Sequence, residues 1–406
     1  MSAFPLQETH KNKIGVAIAF YAYLVIGMTN NEFGVLLPSV QAAYKLTPTS
    51  LTILFLSQMV GSIVASLTSS VLAKRIGLAR MLLLASVMLT SALTIYAYTS
   101  YWCVMLTSSI LLGIGNGLIH AGINIYIANA QRNSNLIGLL HAFYGFGALL
   151  GSASATTLLA IGLGWRFVYL QTAGLVGMLA IAMIWVIVYN NKLMSLDVTT
   201  FVTNPKANLH LALSSPAVLI SALLCFIYTG TEVSISNWAY AVQSQTRNIP
   251  ELLIGYSVSA YWLGLTVGRL FMGRFIKQWG TVCTVNFSLM LLMSGLVIWW
   301  LLPNQLFSLP LIGFGLAVMY PATIGLLPQR VSPILVPPAI GFMTSAAALG
   351  AASTLTLVGS LAEHLGLESI PILMVVMGAL MIVFNCWLAK YTTAENSSKV
   401  RTKKTQ

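Results

Sequence analysis

The sequence predicts an all-α polytopic membrane protein with twelve transmembrane helices in two pseudo-symmetric six-helix halves. Three observations predict it. Of 406 residues, 57% are apolar and only 7% are Asp, Glu, Lys or Arg, against about 25% charged residues in an ordinary soluble protein. That balance excludes a water-soluble globular enzyme. The few charges lie between long apolar runs, each near the roughly 20 residues that a helix needs to cross a bilayer. The chain also repeats itself at an offset of about 200 residues. A net charge of +12 could suggest nucleic acid in a soluble chain, but here it belongs to membrane topology, and no nucleic acid is expected.

The apolar segments run, with boundaries good to a few residues, over 14–41, 50–73, 79–98, 102–130, 135–163 and 165–189, then 215–243, 250–277, 280–302, 306–328, 338–361 and 370–390. Several exceed a minimal span and should tilt. The first is too long for the apolar part of a secretory signal. It leads into Asn30, Asn31 and Glu32 instead of a small-residue cleavage site, so it reads as a retained helix. The longest polar link contains Asp197, Asn204, Pro205 and His210. The expected organisation is a first half over 1–189, a cytoplasmic linker over 190–214, a second half over 215–391 and a basic cytoplasmic tail over 392–406. Cys103, Cys225, Cys283 and Cys386 stand singly in apolar segments and read as packing residues, with neither disulfide nor metal spacing.

Orientation follows from the bases. With the N-terminus inside, the inner face collects Lys11, Lys13, Lys74, Arg75, Arg80, Arg132, Lys192, Lys206, Arg269, Arg274, Lys277, Arg330, Lys390, Lys399, Arg401, Lys403 and Lys404, leaving only Lys45, Arg166 and Arg247 outside. That asymmetry is the positive-inside signature, and an even number of spans puts both termini in the cytoplasm of a plasma or inner membrane. The basic tail reads as a solvated end beside anionic lipid headgroups.

The halves echo each other in detail. Leu112-Gly113-Ile114-Gly115 recurs as Ile312-Gly313-Phe314-Gly315, and Glu32 in the first helix is matched by Glu232 in the seventh. Each acid is followed by a turn with a proline, Pro48 or Pro250, then a span, then a basic stretch, Lys74 to Gly77 or Arg274 to Gly280. Parallel repeats of this kind place a solute site near the bilayer midplane at the repeat interface. Gly113, Gly115, Gly117, Gly313 and Gly315, with Gly145, Gly147 and Gly151, should let helices approach closely, and Pro321 and Pro328 should loosen the tenth helix.

The two-half plan, the basic loop Leu72-Ala73-Lys74-Arg75-Ile76-Gly77-Leu78-Ala79-Arg80 and the step Gly164-Trp165-Arg166 resemble the major facilitator superfamily. Lys74 stands where that loop usually carries an acid. Within the superfamily, four stretches resemble the fucose permease group of sugar:proton symporters: Tyr228 to Trp238 in helix seven, Gly264 to Gly273 in helix eight, Gly113 to Asn124 in helix four and Leu139 to Gly151 in helix five. The resemblance implies a major facilitator fold, alternating access and proton coupling through an acid in helix one, a role that falls on Glu32. It also implies cytoplasmic gating loops at Lys74, Arg75, Arg80, Arg269 and Arg274. Helix four of the group usually carries an acid where this chain has His120.

Glu32 and Glu232 are the acids set well inside apolar spans, where an ionised group costs at least a few kcal/mol and is by default functional. A carboxyl out of water holds its proton more tightly, which lets it exchange that proton as a cavity opens to each side in turn. The competing reading is a carboxyl hydrogen-bonded across helices merely to hold them together. Asn116, His120 and Asn124 recur every fourth residue and share one face of helix four; His141 and Tyr144 share a face of helix five. The histidines are candidates to bind solute or, for His120, to tune Glu32. Nothing on those helices completes a metal set, and no metal or cofactor is expected. Asn30, Asn31, Tyr228, Ser236, Asn237, Trp238, Tyr261, Trp262 and Tyr320 add the amides, hydroxyls and ring faces that hold a sugar in a mostly apolar pocket. With no base expected mid-span, since Arg269 and Arg274 read as the inner end of helix eight, the solute is expected to be neutral.

The sequence therefore predicts a monomeric secondary transporter of a neutral sugar or similar polyol, coupled to protons or, through the polar Asn30-Asn31-Glu32 run, to sodium. A proton-coupled exporter of drugs or metabolites is the alternative, its two acids attracting a lipophilic cation. A non-transporting receptor and a membrane-embedded enzyme are disfavoured, for want of a signalling domain and of a catalytic constellation.

Overall fold

A computed structural model of the chain describes residues 5–130, 134–189, 194, 211, 213–247, 249–332 and 335–404. The expected linker over 190–214 lies almost wholly outside the described residues, with Lys192 and Lys206, and so does Arg132. The side chains of residues 1–12 and of the tail from 391 onward, including Lys11, Lys399, Arg401, Lys403 and Lys404, also fall outside them. Every regular element described is helical. In chain order they are α1 (Pro5–Asn31), α2 (Phe33–Tyr44), α3 (Pro48–Ile76), α4 (Leu78–Tyr98), α5 (Trp102–Ala130), α6 (Ser134–Ala160), α7 (Trp165–Tyr189), α8 (Pro216–Thr246), α9 (Glu251–Trp279), α10 (Thr281–Leu301), α11 (Ser308–Leu316), α12 (Met319–Gly325), α13 (Leu327–Arg330), α14 (Val336–Leu365) and α15 (Ser369–Lys404).

Eleven helical stretches among the described residues are long and apolar enough to cross a membrane. The span expected over 250–277 is present as α9, but Ser257, Ser259, Thr266, Arg269, Arg274 and Lys277 dilute its apolar content. Two spans are interrupted, and prolines explain both. Pro38 offers no N–H to the carbonyl of Gly34 and crowds it, so regular helix breaks between α1 and α2 at Glu32, just before that glycine. Pro321 and Pro328 act in the same way on the carbonyls of Ala317 and Ile324, and the tenth span falls into α11, α12 and α13. The last helix continues without a break from the twelfth span into the tail, as far as Lys404.

The chain forms two compact units, 1–200 with 248–262 and 201–247 with 263–406. In the first, α1 packs on α6 and α7, α3 on α5, and α4 on α5 and α7. In the second, α8 packs on α14 and α15, and α10 on α11 and α15. Each unit thus sets its first span against its fifth and sixth, and its third against its fourth and sixth. The turns repeat as well. Gly77 and Gly280 precede the third span of each unit with φ of 86° and 78°, and Gly162 and Gly366 precede the sixth with φ of 85° and 84°, a left-handed region that side chains resist.

Close approach of helices rests on missing side chains. A Cβ at Gly147 would meet the backbone of Leu24 on α1, and one at Gly350 the backbone of Phe226 on α8. These are the same first-to-fifth contact in the two units, with small residues where lipid supplies no hydrophobic drive for helices to associate. Because the obstruction is backbone, no rotamer relieves it. Gly147→Val should destabilise by about 1–3 kcal/mol or more, read as a lowered thermal midpoint in detergent. Gly174→Ala, where a Cβ meets nothing within 4 Å, should leave that midpoint unchanged.

Candidate functional site

Polar residues of α1, α5 and α6 converge inside the first unit. Asn116 donates from Nδ2 to Asn30 Oδ1 at 2.8 Å. Asn30 and Asn31 each send a longer hydrogen bond to the Tyr144 hydroxyl, 3.5 and 3.4 Å, and Asn31 also donates to the Gly27 carbonyl at 2.8 Å. His120 follows one turn after Asn116, its ring 5.6 Å from that of Tyr144. The Trp262 indole meets Tyr144 edge-on at 6.3 Å and stands against Tyr261 at 5.3 Å. Asn116 Oδ1 is buried and accepts no hydrogen bond, which leaves an acceptor ready for a hydroxyl donor.

Tyr23 belongs to this cluster and carries no motif to announce it. Fully buried, its hydroxyl lies 3.3 Å from His120 Nδ1, and its ring meets those of His120 and His141 edge-on at 5.0 and 5.7 Å. The available signal was its place two turns before Asn30, on the same face of α1. His141 and Asn124 are themselves exposed.

Glu32, next to Asn31 in sequence, turns the other way. It is 0% exposed and accepts one hydrogen bond, 2.6 Å from Thr172 on α7 to Oε2, while Oε1 has no partner. Tyr169, one turn before Thr172, is buried with its hydroxyl unmatched and packs edge-on against Tyr96 of α4 at 5.2 Å. Ser152 of α6 donates to the Asn31 carbonyl at 3.1 Å, fixing the backbone between amide and acid.

The second unit gives Glu232 a different setting. Arg269, expected at the inner end of its helix beside Arg274, sends Nη2 to Glu232 Oε1 at 3.3 Å and to the Tyr228 hydroxyl at 3.1 Å. Both side chains are largely out of solvent, 18% and 11% exposed, so a base does reach into the apolar interior. Tyr320 lies 5.7 Å from Tyr228, ring to ring. Ser236 is buried on the same helix; Trp238 is fully buried with its indole N–H unmatched, and Asn237 bonds its own helix at the Val233 carbonyl, 2.8 Å. Lys74, Arg75, Arg80 and Arg274 are exposed at helix ends or in the last turns.

A further ion pair escaped the sequence altogether. Arg247, at the end of α8, grips both oxygens of Glu368 at 2.9 Å and donates to the Trp299 carbonyl at 3.0 Å, while Thr246 adds 2.6 Å to the same carboxylate. The Arg247 hydrogen bond holds the Glu368 carboxyl below its ordinary value of 4.5, against the opposing pull of partial burial. A carboxyl depressed in the folded state stabilises it above the unfolded pKa, and that contribution is lost as pH falls through the folded value. The thermal midpoint should hold above pH ~5 and drop further on acidification in the native protein than in Glu368→Gln, by ~1 kcal/mol or less because the carboxylate is half exposed.

The comparisons agree with this architecture. A family model described as Major Facilitator Superfamily matches residues 19–333. Among curated proteins, the chain is 24% identical over 282 residues to "Bypass of stop codon protein 6" of Saccharomyces cerevisiae, covering 64% of this chain but 56% of the yeast protein. It is 23% identical over 323 residues to the "Glucose/mannose transporter GlcP" of Bacillus subtilis, covering 77% and 79%. Among solved structures it resembles the nucleoside transporter NupG (TM-score 0.75, 12% identity, 92% of this chain and 99% of that one). A bacterial homologue of the lysosomal transporter Spinster gives 0.76, 10%, 95% and 98%, and the Escherichia coli fucose:proton symporter FucP gives 0.62, 13%, 92% and 98%.

Proposed function

The chain belongs to the Major Facilitator Superfamily, and on that premise we propose that it moves a neutral sugar or similar polyol across the membrane by alternating access, in symport with protons. It is a multi-pass membrane protein and a secondary-active transporter of a small solute, not an enzyme. The observation that carries the substrate class is the cluster of Asn30, Asn31, Asn116 and Tyr144 beside the Trp262 ring. It offers amide donors, a buried amide oxygen still open to a hydroxyl, and aromatic edges and faces. A phosphate or dicarboxylate wants a cation it can claim, and Arg269, a base that reaches the interior of the second unit, is engaged by Glu232. The resemblance of the helix-four, five, seven and eight patterns to the fucose permeases, and the likeness to a glucose/mannose transporter, support the same class.

The two intramembrane acids take different roles in this reading. Glu232 has a guanidinium 3.3 Å away, whereas Glu32 has one neutral hydrogen bond and no counter-ion among the described residues. An ionised carboxylate so placed is costly, so Glu32 gains most from holding a proton and is the coupling group. In this reading solute and proton use adjacent residues of the first span, the amides at 30 and 31 at the end of α1 and the carboxyl at 32 in the break that follows.

Proteoliposomes offered a panel of labelled hexoses, deoxyhexoses and polyols under an imposed proton or sodium gradient test this. Accumulation of one or more sugars driven by the proton gradient is expected. Outward movement of a lipophilic cation with no sugar uptake overturns the substrate class, and accumulation driven by sodium alone overturns the coupling ion. Asn116→Ala should weaken sugar binding about 10-fold, the loss of one or two hydrogen bonds at ~1 kcal/mol each, seen as a raised KM.

A further inference from the structure

We propose that Tyr23 is a positioning residue of the solute site: its hydroxyl donates to His120 Nδ1 and fixes the tautomer that carries its hydrogen on Nε2, so that His120 offers the solute a hydrogen-bond donor. The inference rests on the reading of this cluster as a sugar site and gives Tyr23 and His120 defined roles within it, which helix periodicity leaves open.

The two ring nitrogens have different surroundings. Nδ1 lies 3.3 Å from the Tyr23 hydroxyl, and the Tyr23 ring, fully buried, meets the imidazole edge-on at 5.0 Å. Nε2 makes no hydrogen bond among the described residues, and the half-buried side chain keeps it in touch with accessible space. Tyr23 is itself held from a second side, by the His141 ring at 5.7 Å, so its hydroxyl is a fixed point against which the imidazole is set. Glu32 bonds Thr172 of α7 instead, which leaves the solute as the partner for Nε2.

Chemistry sets the direction of the shared hydrogen. A phenol is a stronger acid than a neutral imidazole N–H, and the imidazole lone pair is a stronger base than a phenol oxygen, so O–H···N is the favoured sense. The other acceptor within reach of the Tyr23 hydroxyl is the His120 carbonyl at 3.5 Å. It is more distant and, inside α5, already takes the N–H of Asn124. A neutral imidazole that accepts at Nδ1 carries its hydrogen on Nε2. One turn earlier on the same face, Asn116 Oδ1 is an unmatched acceptor. Helix α5 thus presents an acceptor and a donor to a hydroxylated solute, which gives a hydrogen to Asn116 and receives one from His120. The acid usual at this place in the fucose permease group offers acceptors alone when ionised, so histidine here changes which partner of the hydrogen bond the solute must supply.

Nitrogen NMR of the purified protein with isotopically labelled histidine, at about pH 8 where an ordinary imidazole is neutral, reads the tautomer directly. The signals lost in His120→Gln identify His120. In the native protein they should show the hydrogen on Nε2, and in Tyr23→Phe, which keeps the ring against both imidazoles, they should move toward a mixture of the two tautomers. In proteoliposomes Tyr23→Phe should raise the KM for sugar about fivefold, the loss of roughly one hydrogen bond, with Vmax within twofold, and His120→Ala should raise it at least as far. His120→Gln sets an amide N–H near the place of Nε2 without help from Tyr23. Its KM should stay within twofold of native, and adding Tyr23→Phe to it should change nothing further. A hydrogen on Nδ1 in the native protein, an unmoved KM in Tyr23→Phe or His120→Ala, or the same fivefold loss when Tyr23→Phe is added to His120→Gln overturns the inference and leaves Tyr23 a packing residue. Failure of the native protein to bind or accumulate any sugar, with the Nε2 hydrogen in place, overturns instead the sugar-site reading, and the role of His120 toward solute falls with it.

Discussion

Glu32→Gln should abolish accumulation of sugar against its gradient, by 100-fold or more, while leaving the protein folded and still able to equilibrate sugar downhill. Glutamine keeps the volume and can still accept the 2.6 Å bond from Thr172, so packing between α1 and α7 survives. What disappears is the carboxyl whose proton the proposed coupling uses. Substitution also removes a carboxyl that is 0% exposed without a counter-ion, so the thermal midpoint should hold or rise. The measurement is a comparison of initial uptake, steady-state accumulation and exchange in one vesicle preparation. Undiminished accumulation in the variant would exclude Glu32 as the carrier.

The second large effect belongs to Arg269→Ala. It strips the cation from a Glu232 that is 11% exposed and takes a hydrogen bond from Tyr228. Removing one partner of a pair withdrawn from water costs about 3–5 kcal/mol, much of it the cost of the stranded charge, whereas replacing both is often neutral. Arg269→Ala should therefore lower the thermal midpoint strongly, and Arg269→Gln combined with Glu232→Gln should restore most of it. If the double variant is as unstable as the single one, the guanidinium acts by filling space, and the electrostatic account of the pair is wrong.

The spans were legible because burial in lipid imposes one simple demand, an apolar run of sufficient length, and composition records it directly. The cluster around Asn30 and Asn116 was legible for a related reason. Helical periodicity puts Asn116 and His120 on one face, and a polar residue in an apolar helix has few uses. Periodicity is silent on pairing across helices. Arg269 looked like an inner-end base because its neighbours Arg274 and Lys277 are basic, but a long side chain carries its charge a turn or more from its own Cα, here to an acid 37 residues earlier. Arg247 and Glu368, 121 residues apart, share no local pattern at all. Thr172 was hidden by its ordinariness, since threonines in such helices commonly bond their own backbone, and this one also reaches the Val168 carbonyl at 3.1 Å.

The membership of residues 248–262 in the first unit sets a timetable for biosynthesis. Thr157 on α6 meets the Tyr256 hydroxyl at 3.0 Å across 99 residues of chain, and Tyr144 waits longer still for Trp262. At ribosomal rates of about 5–20 residues per second, these partners emerge roughly 5–20 s after the helix that needs them. Six spans can be inserted by then, yet the amide cluster still lacks its indole wall. A nascent chain stalled between residues 200 and 250 should therefore be threaded through the membrane but unable to hold sugar, and binding competence should appear only as α9 is delivered.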